Sequence, residues 1–404
     1  MAIRASGLQL YEIATPDVGL ASAGWAARAQ DASTLFKNPA GMSLLDGATL
    51  QAGLQLTYGD VAFSPNDDTS PQLGTDGGGN AIGALPAMSF FYVQPLGEKW
   101  RVGVGTLSYF GLVEDYGPDW VGRYYVQKSS LIGVSLLPTV SYQVCEWLSL
   151  GAGLNAMYGY LDTEVAVNNL DPRIGDGQLT VDDRTWGFGA NAGLLIKASD
   201  RTRVGINYLS PVALDFEATP EFSNLGPALG NLLNNPSPLD LGMTVPQSVM
   251  LSVFHQLTDQ LALMADFGWQ NWSAFGQVEV GVNSDNPRDL TTDLNYQDTF
   301  HGAVGAQYQI CPKWQVTGGV AYDSSPVSDT DRSVVLPLGI AWRFGAGVQW
   351  QATPSLSFGA AYEFLWAGDM TVDQGTEDSL RGRVAGTYQG ANFSFVTLNV
   401  NWRL

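Results

Sequence analysis

Six short turns, each leading into an alternating apolar strand, constrain this chain more than any other feature of it. They are Pro95-Leu96-Gly97-Glu98-Lys99, Val144-Cys145-Glu146, Ala198-Ser199-Asp200, Leu257-Thr258-Asp259, Cys311-Pro312-Lys313 and Ala352-Thr353-Pro354. Three run straight into a tryptophan: Trp100, Trp147 and Trp314. Between successive short turns lie two strands and one long polar loop. Short turns on one side, long loops on the other and aromatics at strand ends are what a transmembrane β-barrel needs.

Composition leaves that reading open. The 404 residues, 47 of them Gly, are 45% hydrophobic with a mean hydropathy near zero. No run approaches the roughly 18 consecutive apolar residues of a membrane helix. Only alternate strand residues of a barrel meet lipid, so composition alone does not separate a barrel from a soluble all-β protein. A net charge of −20 argues against nucleic acid as a partner. The acids crowd into the long loops: Asp60, Asp67, Asp68 and Asp76, then Asp171, Asp176, Asp182 and Asp183, then Asp369, Asp373, Glu377 and Asp378. They form a solvated acidic surface or hold divalent cations among lipopolysaccharide phosphates. Met1 to Leu10 lacks the basic and apolar regions of a signal peptide, so in a barrel the numbering is expected to begin near the processed N-terminus. Cys145 and Cys311 lie in turns of well-separated hairpins and are expected as isolated thiols, although the periplasm is oxidising.

Residues 1–47 differ from the rest, being rich in Ala and Gly and without alternation. From Ala48 onward fourteen strands are expected, starting near 48, 86, 99, 131, 147, 184, 201, 245, 260, 298, 314, 335, 355 and 391. An even number returns both barrel ends to the periplasm. In the last strand Val396, Leu398, Val400, Trp402 and Leu404 share one face, assigned to lipid; Thr397, Asn399, Asn401 and Arg403 share the other, assigned to the lumen. The strand near 355 sends Leu356, Phe358, Tyr362, Phe364 and Trp366 outward, and the strand near 335 sends Ile340, Trp342, Phe344, Val348 and Trp350 outward. A hairpin symmetric about Thr353 would set Arg343 directly opposite Glu363 inside the barrel, a charge pair worth roughly 0.2–1 kcal/mol.

Asn38-Pro39-Ala40-Gly41 resembles the Asn-Pro-Ala hatch motif of the FadL family of outer-membrane transporters for long-chain fatty acids and other hydrophobic compounds. Tyr109-Phe110-Gly111-Leu112 with Trp120-Val121-Gly122-Arg123-Tyr124, and Leu263-Met264-Ala265-Asp266 with Trp272-Ser273-Ala274-Phe275, are also similar to that family. The resemblance runs from about residue 6 to the C-terminus. One departure is the terminal Leu404, where such barrels usually end in Phe or Trp. The resemblance implies a fourteen-stranded barrel plugged by an N-terminal hatch. It also implies capture of substrate among extracellular loops, a lumen pocket beside the hatch N-terminus and lateral exit where the third strand kinks inward. By that analogy Ile3, Leu8 and Leu10 touch the lumen ligand.

The residues add detail. Phe222, Leu225, Leu229, Leu232 and Leu233 are spaced to share one face of a short helix, which either packs as a small loop core or lines the capture groove. In the third strand the outward phase begins as Val102 and Val104 and becomes Thr106 and Ser108, while large residues switch to Leu107 and Tyr109. A reversal near Gly105 marks a bulge that opens the wall, or Gly103 and Gly105 are glycines that give room to the plug. Pro39 pushes Asn38 toward extended geometry, from which its side chain can satisfy a nearby turn. A fatty-acid carboxylate would want a cation, and Arg123, Arg343 and Lys37 are the candidates; without an unpaired one, neutral aromatics or alkanes remain open.

Competing classes are weaker. His255 and His301 fall near opposite ends of different strands, away from any nucleophile motif, which disfavours a hydrolase. A general porin would need an open polar lumen. A structural or receptor barrel without transport would not need an apolar loop face and a hatch. The expectation is a monomeric passive channel of the bacterial outer membrane, without cofactor, metal or nucleic acid. Its partners are a hydrophobic small molecule, outer-membrane lipid and lipopolysaccharide. Direct periplasmic release is the alternative route.

Overall fold

The computed structural model describes residues 9–169, 171, 173–233, 236–282, 288–289 and 292–404. Among them, fourteen strands form the wall. They are β1 (Thr49–Asp60), β2 (Gly83–Leu96), β3 (Trp100–Asp115), β4 (Lys128–Cys145), β5 (Leu148–Val167), β6 (Gly177–Ser199), β7 (Thr202–Leu209), β8 (Ser248–Gln256), β9 (Leu261–Gln270), β10 (Thr299–Cys311), β11 (Trp314–Asp323), β12 (Ala341–Gln351), β13 (Leu356–Gln374) and β14 (Val384–Arg403). Each pairs antiparallel with the next, and β1 pairs with β14 from Thr49↔Arg403 to Asp60↔Asn392. That last pairing closes the sheet and leaves no free edge between its first and last strands. The largest departures from the expected starts are at β12, β14 and β6. Residues 335–340 carry Pro337 and bury Leu336 and Leu338 before β12 begins at Ala341. β14 and β6 each start seven residues early because their strands extend into the loop region, with Val384 paired to Gln374 and Gly177 to Val167.

Alternation places the two faces as the side-chain pattern requires. Phe188, Met88, Val304, Leu54, Phe267 and Leu398 are among the large apolar side chains that the wall exposes outward. At the short-turn end Trp100 meets Tyr142, and Trp314 stacks on Trp350 and Trp350 on Phe358, an aromatic belt of the kind found at membrane interfaces. Inside, Gln51, Asn191, Asn207, Ser252, Asp266 and Arg343 are buried. Cys145 and Cys311 are both free thiols.

Residues 9–45 occupy that interior. They contain two short helices, α1 (Thr15–Gly19) and α2 (Thr34–Lys37), and a 3-10 turn over Pro39–Leu44. Polar side chains from the wall hold the backbone of this segment. Asp266 accepts from the amides of Gly24 (3.0 Å) and Trp25 (3.1 Å), Ser252 from Ala26 (2.9 Å), and Arg203 donates to the carbonyls of Ala27 (3.1 Å) and Arg28 (2.8 Å). Wall glycines admit the segment at close range: a Cβ at Gly319 would collide with the Leu20 carbonyl.

On the long-loop side, strands Val212–Ala218, Leu239–Val245 and Gln277–Val282 form a second sheet. Val212, Leu214 and Phe216 are fully buried, and Leu214 and Phe216 reach Gly159 of β5.

Candidate transport path

Two consecutive buried aromatics, Tyr109 and Phe110, break the alternation of β3. The register against β4 shifts there, with Ser108 opposite Val134 and Phe110 opposite Gly133, so Tyr109 is the extra residue of a bulge. On its other side β3 pairs with β2 only from Leu96↔Trp100 to Phe90↔Thr106. Beyond that rung Gly83–Ser89 stays with β1 and Leu107–Asp115 with β4. The wall is therefore unlaced on one side of β3. A cavity lies at this place, lined by Glu12, Thr15, Thr397 and Leu107 inside and by Leu54 and Met88 at the lipid side. The N-terminal segment meets the unlaced strand: Leu10 N donates to Tyr109 O at 2.8 Å, and Gln9 bridges Phe110.

The expected reversal at Gly105 is thus displaced. Arg101, Gly105, Leu107 and Tyr109 are buried while Val104 and Thr106 are exposed, an unbroken phase through the glycines. Gly103 pairs with Val93 and Thr139, and Gly105 with Phe91 and Leu137. Both are places where the segment packs close: a Cβ at Gly103 would stand 3.0 Å from Met42 Sδ, and one at Gly105 3.0 Å from Leu35. Ser108 imitates an inward residue in the sequence, but its hydroxyl donates to Gly133 O at 2.9 Å and needs no lumen partner.

An apolar column rises from the segment toward the loops. Phe36 packs on Tyr109 at 4.8 Å, Phe110 on Phe275 at 5.9 Å, Phe275 on Trp272 at 5.4 Å and on Tyr296 at 6.2 Å, measured between ring centroids. Trp272 and Phe275 form the ends of helix α4 (Trp272–Phe275) once a further helix, α3 (Pro227–Leu233), is counted before it. They belong to the Trp-Ser-Ala-Phe stretch quoted above, which carried no assigned role there. Leu10 lines a small cavity beside Tyr11, Trp25, Phe36 and Met250 at the foot of the column. Ile3 and Leu8 lie outside the described residues.

The five loop residues expected on one helical face do not share one. Pro227 starts α3, which leaves Phe222 in a short strand opposite Leu179 and Leu225 before the helix. No residue of α3 is buried; Leu229 and Leu233 are half-buried and Leu232 is 76% exposed. The buried apolar surface of this loop comes instead from Leu214, Phe216 and Val245 on either side of α3.

Asn38 is buried and fully used. Its carboxamide accepts from Ala40 N (3.1 Å) and donates to Ala26 O (2.7 Å) and Leu194 O (3.0 Å), tying two turns of the segment to β6. Pro39 and Ala40 follow it into the 3-10 turn and press on Gly151 and Gly193 of the wall.

None of the three candidate cations stands alone. Lys37 pairs with Asp17 at 2.6 Å, Arg123 with Asp176 at 2.8 Å, and Arg343 with Asp323 (2.7 Å), Glu363 (3.4 Å) and Glu12. The hairpin axis lies one residue beyond Thr353, at Pro354, so Glu363 faces Gly345 and Arg343 faces Leu365. Arg343 and Glu363 meet diagonally rather than directly across. His301 joins this cluster, with Nδ1 2.7 Å from Asp323 and Nε2 2.8 Å from Ser22. Motif reading could not see the Ser22 contact, because 279 residues separate the two. The Ser22 hydroxyl lies 2.5 Å from the Ala21 carbonyl, to which it donates, and is 2% exposed, so the group ties the segment to β10. Of the loop acids, Asp171 pairs with Arg173, and Asp373 with Arg383, which also lies 4.0 Å from Asp68; no group of three or more His, Cys, Asp or Glu among the described residues is arranged to hold a metal ion.

A closed fourteen-stranded barrel with an apolar outer band, an aromatic belt and an occupied lumen is an outer-membrane β-barrel. Residues 1–403 match the family described as outer membrane protein transport protein (OMPP1/FadL/TodX), and the chain belongs to that family. It is 28% identical to "Outer membrane protein P1" of Haemophilus influenzae, over 98% of this chain and 95% of the relative. It is 26% identical to a "Long-chain fatty acid transport protein" of Escherichia coli, over 88% and 86%. In fold it is similar to a Pseudomonas aeruginosa FadL homologue (TM-score 0.87, 22% identity, 98% and 99% covered). It is also similar to the Ralstonia pickettii toluene transporter TbuX (TM-score 0.71, 19% identity, 98% and 99% covered). The protein is placed in the bacterial outer membrane.

Proposed function

We propose that this barrel passes hydrophobic small molecules, fatty acids or neutral hydrocarbons, from the extracellular loops to the membrane through the opening between β2 and β3. The observation that carries this reading is the end of the β2–β3 ladder at Phe90↔Thr106, with a cavity there reaching from Glu12 to Met88. Capture falls to α3, whose exposed Leu232 and half-buried Leu229 and Leu233 stand at the rim, over a buried apolar backing of Leu214, Phe216, Trp272 and Phe275. The aromatic column then leads to Tyr109 and to the lumen pocket at Leu10, where the hatch, residues 1–47, blocks an aqueous route. Commitment of Lys37, Arg123 and Arg343 to carboxylates favours a ligand held by apolar contact, a neutral aromatic or alkane as readily as a fatty acid. With β1 closed on β14 the barrel works as a monomer, and its acidic loops face lipopolysaccharide. No energy-coupling element is needed, because ligand runs down its own gradient.

The test is a closed wall. Continuing the register beyond Phe90↔Thr106 would set Met88 opposite Ser108. Uptake of a labelled long-chain fatty acid and of toluene is measured in cells carrying M88C/S108C in a background with Cys145 and Cys311 replaced by serine. Oxidation or a short bifunctional thiol reagent should abolish uptake reversibly. Uptake that survives full cross-linking would transfer the exit to the periplasmic side of the hatch.

A further inference from the structure

The N-terminal segment does not fill the barrel evenly. Between it and the inner face of the wall around β14 lie three cavities in series, each sharing lining residues with the next. A vestibule of about 300 Å³ opens among the periplasmic turns and reaches Arg28, Gln349 and Asn401. A second cavity, of about 20 Å³, shares Arg28 and Gln349 with it and extends to Thr15 and Asn399. The third, also about 20 Å³, shares Thr15 with the second and ends at the wall opening beside Thr397 and Leu107.

An independent observation falls on the same line. Thr15 Oγ1, Thr397 Oγ1, both polar atoms of the Asn399 carboxamide and Asn401 Oδ1 have no hydrogen-bond partner among the described residues. Thr15, Thr397 and Asn399 are only 5%, 3% and 6% exposed. A buried polar group without a partner is costly, so these groups call for water. A cavity needs about 10–15 Å³ to hold one water. Each of the two inner cavities therefore takes a water, and the second, midway along the seam, is too narrow for a hydrocarbon chain to pass from the wall opening to the vestibule.

We propose that this seam carries a single file of water between the periplasmic vestibule and the wall opening, and that the file drains the opening when an apolar ligand enters it. The amides and hydroxyls supply each water with the two to four partners it needs. Water displaced by ligand then leaves toward the periplasm instead of into lipid, while the ligand is held back by the width of the seam. The draining role rests on the lateral-exit reading; the water file does not.

X-ray radiolytic labelling of the full-length protein in detergent tests it. Leu107 is 3% exposed and lines the inner side of the opening, so Leu107→Met makes a reporter that only water inside the seam oxidises. Native Met157, fully buried in apolar surroundings, is the dry control. The reporter should oxidise several-fold faster than Met157, and T15V/N399L, which replaces the polar lining by similar shapes, should remove most of that excess. Uptake by T15V/N399L should fall several-fold. A reporter as inert as Met157, labelling that ignores T15V/N399L, or unchanged uptake in that variant would overturn the proposal. Should T15V/N399L not fold, a crystal structure of the unsubstituted protein decides: waters bonded to Asn399 and Thr397 support the file, and protein atoms in their place overturn it. If M88C/S108C cross-linking leaves uptake intact, the lateral exit fails while the labelling still reports on the seam.

Discussion

At the scale of single residues, the interior is held by charge pairs that alternation in the sequence could not disclose. Arg343 and Glu363 were legible as inward residues because every second neighbour is large and apolar, but Asp323 on β11 and Glu12 on the N-terminal segment also meet Arg343. Those partners come from distant chain, and strand periodicity carries no information about them. Asp31 offers a measurable case. Burial raises its carboxyl, but Lys37, Arg28 and Ser33 outweigh burial and hold it at about 2, against an ordinary 3.8. A depressed acid stabilises the folded state above its unfolded value and stops doing so as pH falls through its folded one. The shift corresponds to about 2 kcal/mol. The stability advantage of the natural chain over Asp31→Asn should be full above about pH 4 and lost by about pH 2, followed as tryptophan fluorescence during heating. An advantage that does not change over that range would mean that the Asp31 pairs do not hold the segment.

At the scale of elements, the strand count, the faces and the short turns were readable because lipid on one side and packed polar interior on the other impose a strict period of two. The position of the bulge in β3 was not. Thr106 and Ser108 put polar groups on the outer face, and a polar outer residue looks the same in sequence as a reversed phase until the Gly133 carbonyl is seen to satisfy Ser108. The loop helix was misjudged for another reason: Pro227 fixes where α3 starts, and no spacing of leucines carries the helix back to Phe222. Gly105 now has a packing role. Gly105→Val should overpack against Leu35 and Phe91 and cost about 1–3 kcal/mol, while amide exchange at Thr106 stays slow because the rung to Phe90 persists. Fast exchange at that amide would restore Gly105 as the point where the wall parts.

At the scale of the whole molecule, wall and interior segment contribute different things. The wall supplies closure, and blockage is the role proposed for the segment, since the lumen face carries Gln51, Asn191, Asn207, Ser252 and Asp266, all of which water would solvate well. Deleting residues 9–45 should leave a heat-modifiable barrel that conducts ions across a planar bilayer, while the intact chain stays nearly silent. Equal currents from the two would show that the segment blocks nothing. The pairing of β1 with β14 also sets an order of events in biogenesis. The two edges that meet are the first and last strands of the wall, so the cylinder stays an open sheet until its last strand has been secreted. Residues 9–45 precede the first strand, and they carry Trp25 and Phe36, side chains too wide to be drawn through a finished ladder. The segment therefore reaches the interior either before the last strand zips to the first or afterwards through the periplasmic mouth of the closed barrel, never through the wall.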